Sequence, residues 1–77
     1  MISAYILIQT QVGGPARVAR EIAAMRGVKQ AEPVTGPYDV VVEAEAADLD
    51  ELAKLVVRQI QDVEGVTRTL TCPVVHL

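Results

Sequence analysis

Tryptophan and phenylalanine are absent from this chain of 77 residues, and Tyr5 and Tyr38 are its only aromatic side chains. Without an aromatic platform there is nothing for single-stranded bases to stack on. Positive charge is also scarce: seven Lys and Arg stand against ten Asp and Glu, a net charge of −3. Arg17, Arg20, Arg26, Lys29, Lys54, Arg58 and Arg68 are scattered among acids, whereas phosphate contacts need them gathered in a stripe. The one cysteine, Cys72, excludes an internal disulfide and lacks the companions of a zinc site. His76, the one histidine, has no partner in the sequence to orient it as a general base. No apolar run reaches the ~18 residues of a membrane-spanning helix. Met1-Ile2-Ser3-Ala4-Tyr5 has neither the basic region nor the cleavage site of a signal peptide. The expectation is a cytoplasmic protein in a reducing compartment, free of nucleic-acid, membrane, metal and cofactor contacts.

What the chain does have is aliphatic surface. Hydrophobic residues make up 51% of it, nearly all Val, Ile, Leu and Ala. Residues 1–77 are long enough for one domain only. A domain of that size buries roughly 60–65% of the surface its unfolded chain exposes. The surplus calls for self-association, since burial yields about 25 cal/mol per Å² whichever chain supplies the partner surface.

Periodicity gives the order of elements. Residues 2–11 alternate as a strand, with Ile2, Ala4, Ile6 and Ile8 on one face and Tyr5 and Leu7 on the other. Apolar residues on both faces predict a central strand covered on both sides. Pro15 opens a helix whose inner side is Val18, Ile22 and Met25, and Gly27 closes it. Strands follow over 28–35 and 38–46, the second with Val40, Val42 and Ala44 opposite Val41, Glu43 and Glu45. Asp48 and Glu51 have the spacing of a capping box. The helix they begin has Leu49, Leu52, Val56, Ile60 and Val63 as its buried stripe and ends at Gly65. A last strand runs from Val66 to Leu77. The two halves echo each other, Met25-Arg26-Gly27-Val28 against Val63-Glu64-Gly65-Val66. This split duplication predicts an α+β ferredoxin-like βαββαβ plait, an antiparallel four-stranded sheet with two helices on one face and strand order 4-1-3-2. Pro33 and Pro73 then fall on the two edge strands, where a missing N–H is tolerated.

Few residues offer chemistry. Cys72, among apolar neighbours on a strand, reads as a buried structural thiol, with no adjacent cation to activate it. Glu43 and Glu45 share a strand face and read as solvated carboxylates, although a hard metal could use such a pair. In Thr35-Gly36-Pro37-Tyr38-Asp39, Gly36 permits close approach of a ligand or backbone, and Asp39 could hold an ammonium group or simply cap the turn. Thr67, Thr69 and Thr71 form a hydroxyl ladder along one face of the last strand, or serve only as good edge-strand residues.

Val34-Thr35-Gly36-Pro37-Tyr38-Asp39-Val40, with Gly65-Val66-Thr67-Arg68-Thr69-Leu70-Thr71 in this element order, resembles the effector-binding (RAM) domain of Lrp/AsnC transcriptional regulators. The likeness covers nearly the whole chain. It implies a dimeric α/β-barrel type assembly in which plaits pack sheet to sheet. Dimers then join into a ring, an octamer rather than a decamer, and an amino-acid effector binds between dimers. By position it implies Gly36, Tyr38 and Asp39 in the effector loop and Thr69 and Thr71 on the last strand as ligand-binding residues. Asp39 would pair with an α-ammonium, and the threonine hydroxyls and loop N–H groups would receive an α-carboxylate. Cys72-Pro73 departs from the family's apolar continuation of this strand. The family's helix-turn-helix would precede the first strand, and the sequence begins at that strand, so a stand-alone sensing module without DNA reading is expected. Two alternatives remain: an interaction partner that modulates full-length Lrp/AsnC regulators without ligand, and a small dimeric α/β-barrel enzyme. The aliphatic inner faces count against the enzyme.

Overall fold

The computed structural model describes residues 1–76. Its elements run β1 (Ile2–Thr10), α1 (Pro15–Ala23), β2 (Val28–Pro33), β3 (Val40–Ala46), α2 (Leu49–Lys54) continuing as a π-helical segment (Leu55–Ile60), and β4 (Val66–Pro73). The strands form one sheet in the order β2-β3-β1-β4, the order expected. Every neighbouring pair is antiparallel. Both helices cover one face, where Ala4, Ile6, Ile8, Val40, Val42 and Ala44 of the sheet meet Val18, Ile22, Val56 and Ile60. Period-two alternation in the strands and a 3.6-residue period in α1 bring these residues together.

Local chemistry sets the boundaries. Pro15 fixes the first turn of α1, and the helix stops at Ala23, shorter than the run to Gly27. Gly27 has φ +96°, and a Cβ there would stand 3.1 Å from the carbonyl oxygen of Glu45. That carbonyl belongs to backbone, so the turn requires glycine. Asp48 caps α2 by accepting the Glu51 N–H at 2.9 Å, whereas the Glu51 carboxylate pairs with Lys54. Half of the expected capping box is therefore present. β2 ends at Pro33 and β3 begins at Val40, so Val34 and Tyr38 lie in the connecting loop. β4 stops at Pro73, although the Val74 N–H still donates to the Ser3 carbonyl at 2.9 Å, and the predicted extension through Leu77 falls partly outside the described residues.

The second helix departs most from expectation. Leu49 is 60% exposed and Leu55 is buried in its place. From Leu55 the turns widen, as in the Gln61 N–H donation to the Val56 carbonyl at 2.9 Å. Leu55 joins Leu52 and Val56 at i, i+3 and i+4 on the inner side, and the five-residue spacing keeps Ile60 there, while Leu49 in the first turn stays exposed.

Among the described residues no layer covers the other sheet face. Tyr5 and Leu70 are each 46% exposed there, beside half-buried Leu7 and Val41. Cys72, opposite Tyr5 in the β1–β4 register, shares this face and is exposed, not buried. The apolar neighbours that suggested burial belong to an edge strand on an uncovered side.

Candidate functional site

The predicted ligand residues form two groups. One lies in the β2–β3 connection at the end of the sheet where β1 finishes. Its backbone is pinned by Val34 N–H to the Asp39 carbonyl (2.9 Å) and by Asp39 N–H to the Ile8 carbonyl (2.8 Å). Gln9 Nε2 donates to the Pro37 carbonyl at 3.0 Å. Gly36, at φ +149° with nothing within 4 Å of a Cβ, has glycine's backbone and an open outer side. Tyr38 and Asp39 are half-buried. Oδ2 of Asp39 accepts the Thr10 N–H at 2.8 Å, so the carboxylate caps the end of β1 and leaves its other oxygen uncommitted. Asp39 is thus a turn and strand cap whatever else it holds.

Thr69 and Thr71 form the second group, on β4. They pair with Ile8 and Ile6 and so lie on the helix side of the sheet, each half-buried. The Thr69 hydroxyl accepts from Gln61 Nε2 at 3.0 Å. Thr67 does not continue the ladder: a register shift at Gln9/Thr10 intervenes, and its hydroxyl donates to the Gln9 carbonyl at 3.1 Å. A groove of about 430 Å³ lined by Gln61, Val66, Thr67, Arg68 and Thr69 runs beside this group.

These two groups do not meet within one chain. Ile8 stands between them, bonded to Asp39 on one side and paired with Thr69 on the other. Two strand spacings separate them, roughly 10 Å. Gln61 and Thr10 join the site only in the structure. No motif announces them, because a π turn positions Gln61 and a register shift positions Thr10.

Other candidates settle elsewhere. Glu43 and Glu45 both face the Lys29 ammonium, at 3.9 and 3.4 Å, and Gln30 Nε2 donates to Glu43 at 3.0 Å. They form a charged cluster rather than the free solvated pair expected. Among the described residues no group of three or more His, Cys, Asp or Glu could hold a metal. His76 is exposed beyond β4. A wider groove of about 890 Å³ opens at the opposite end of the sheet, where Arg26, Lys29 and Lys54 mix with Glu45, Asp48 and Glu51 over Val28 and Leu55. No helix among the described residues is long and apolar enough to cross a membrane.

Residues 3–76 match the family model of the Lrp/AsnC ligand binding domain. The chain belongs to the Lrp/AsnC family. It is similar to an HTH-type transcriptional regulator of Pyrococcus furiosus, 33% identical over 54 residues, 70% of this chain and 36% of the regulator. A homocitrate synthase of Sulfurisphaera tokodaii is 39% identical over 54 residues, covering 70% of this chain and 12% of the enzyme. The Lrp/AsnC chain thus spans about a third of one relative and an eighth of the other. Among solved structures, TTHA0845 of Thermus thermophilus superposes with a TM-score of 0.93 at 34% identity, over 100% of this chain and 96% of that one. The transcriptional regulator NMB0573 of Neisseria meningitidis, solved as an L-Met complex, has the same fold (TM-score 0.84, 18% identity, 97% of this chain and 50% of that chain). These likenesses agree with the RAM-type plait and with a module related to transcriptional regulators.

Proposed function

We propose that this Lrp/AsnC domain is a sensing and assembly module that binds a small effector, an amino acid, between copies of itself. The carrying observation is the separation of Asp39 from Thr69 and Thr71 by two strand spacings, with Ile8 of β1 between them. The ammonium and carboxylate of an α-amino acid flank a single carbon and cannot reach both groups of one chain. A site using Gly36, Tyr38, Asp39, Thr69 and Thr71 is complete only when the loop of one copy faces β4 of another. The uncommitted Asp39 oxygen would take the ammonium, and the threonine hydroxyls the carboxylate. The L-Met complex of the Neisseria regulator supports an amino acid as ligand.

Assembly follows from the uncovered sheet face. Tyr5, Leu7, Val41 and Leu70 are the apolar surplus foreseen in the composition, and a second sheet laid against them buries it. Dimers of this kind would join into a ring, an octamer in this reading. At a net charge of −3 the module would not bind DNA itself, and any effect on transcription would pass through a partner such as a full-length Lrp/AsnC regulator. The reading is regulatory, not catalytic, since the match to the synthase covers only 12% of that enzyme.

A second reading, an assembly partner that binds no ligand, draws on one observation: Asp39 already has a role as cap to Thr10. A thermal-shift screen of the twenty amino acids separates the two. At 100 times its dissociation constant a ligand stabilises by ~2.7 kcal/mol. A selective rise with one or a few amino acids supports sensing; no rise with any of them leaves the ligand-free partner.

A further inference from the structure

We infer that one exposed flank of the second helix, formed by Leu49, Ala53 and Val57, is a contact between copies of this chain, made by two such helices lying antiparallel across a two-fold axis at Ala53. The inference rests on the reading of the protein as a self-assembling module, not on effector binding. It adds a second contact to that of the uncovered sheet face.

The two helices treat their outer surfaces differently. Among the described residues α1 exposes no large apolar side chain. The second helix exposes two, Leu49 at 60% and Val57 at 61%, with exposed Ala53 midway between them. Residues four apart lie one above another on a helix. That spacing falls between the 3.6-residue α turn and the wider π turn, so all three stay in one line. The line is separate from the buried one of Leu52, Leu55, Val56 and Ile60, so packing of the core does not explain it. Gln61, four residues beyond Val57, donates to Thr69, which sets the line on the flank toward β4, an open edge of the sheet.

Charge selects the occupant and its direction. Asp50 and Arg58 border the line eight residues apart, about 12 Å along a helix, too far to pair within one chain. Neither forms an ion pair among the described residues, unlike Glu51 and Lys54. A second helix laid antiparallel sets Leu49 against Val57 of the other copy, Ala53 against Ala53, and Asp50 beside Arg58, twice over by symmetry. A parallel arrangement would set Asp50 against Asp50 and Arg58 against Arg58. Lys54, which faces its own copy near the axis, is already held by Glu51 at 3.3 Å. Ala53 at the crossing lets the two helices approach closely. Three side chains cover far less than the ~800 Å² per partner of a stable interface, so this contact joins dimers that already exist. Two different two-fold contacts on each chain suffice to build a closed ring of dimers.

Light scattering coupled to size exclusion, on the intact chain without added amino acid, tests this. Wild type should run as a multimer of dimers and Val57→Glu as dimers only. Arg58→Glu should lower the mass in the same way, since like charges then meet across the axis. Combining Asp50→Arg with Arg58→Glu should restore the wild-type mass, because the pair re-forms only between copies. All three positions are exposed, and circular dichroism verifies that each variant folds. A wild-type mass in Val57→Glu or Arg58→Glu overturns the inference, as does a double variant no larger than Arg58→Glu. So does a wild type no larger than Val57→Glu, which would leave the flank to a different chain. Leu7→Asp separates the two contacts: an unchanged mass there, with a reduced one in Val57→Glu, removes the sheet-face reading and keeps the helix contact.

Discussion

The two faces of the sheet are built from the same strands with alternate residues, yet they end in different states. On the helix side Ala4, Ile6, Ile8, Val40, Val42 and Ala44 are fully buried within one chain. On the other side Tyr5, Leu7, Val41, Leu70 and Cys72 share space with Gln9, Glu43, Glu45 and Arg68, and nothing among the described residues covers them. A face that closes within the monomer needs only shape and hydrophobicity. The mixed face, with apolar residues at its middle and charge toward its edges, has the anatomy of an interface between molecules. Stability therefore resides on one side of the sheet, and assembly on the other.

Substitutions that sit one residue apart should expose this difference. Ile6→Ala opens a cavity in the covered face and should cost about 2–5 kcal/mol, a large share of a small domain's stability. Thermal or denaturant unfolding at fixed protein concentration measures it. Its neighbour Leu7→Asp should act differently, leaving the circular dichroism spectrum intact while light scattering reports a smaller species. A Leu7→Asp protein that stays fully assembled would mean the open face is not the contact.

Smaller effects sharpen the same division at Asp39. Asp39→Ala loses the acceptor for the Thr10 N–H and should cost about 1–2 kcal/mol in unfolding experiments. Asp39→Asn keeps an acceptor oxygen, so stability should change by less than about 0.5 kcal/mol. If the carboxylate also holds an ammonium, the Asn variant should still lose about 10- to 150-fold in amino-acid affinity by calorimetry. Equal affinity in wild type and Asp39→Asn would reduce Asp39 to a cap. Smallest of all, exposed Leu49→Ala should shift stability by no more than about 0.5 kcal/mol, whereas Leu55→Ala should cost several times that.

The sequence made the covered face legible because two periods, 2 for strands and 3.6 for α1, point at one core. Strand order, the helices' common side and the edge placement of Pro33 and Pro73 followed from the repeated half. Leu49 and Leu55 exchanged places because both fit a helical stripe with Leu52, and only the packing shows that the stripe continues through Leu55 while Leu49, in the first turn after the Asp48 cap, stays exposed. Cys72 was misplaced because apolar neighbours along an edge strand do not say which face a residue occupies. Within the candidate site, the loop and the threonines were readable as motifs. Their separation was not, since it depends on Ile8 standing between them, a fact of strand pairing rather than of spacing along the chain. The cap from Asp39 to Thr10 and the Gln61–Thr69 contact are tertiary for the same reason, spanning 29 and 8 residues.

The most direct test of a ligand site shared between copies is calorimetric titration of the amino acid selected by the thermal-shift screen into wild type and into folded, dissociated Leu7→Asp. Measurable binding to the assembled wild type and its loss in the dissociated variant are expected, because the loop of one chain no longer faces β4 of another. Undiminished affinity in the dissociated chain would show that one copy holds the whole site, and would contradict a site shared between copies.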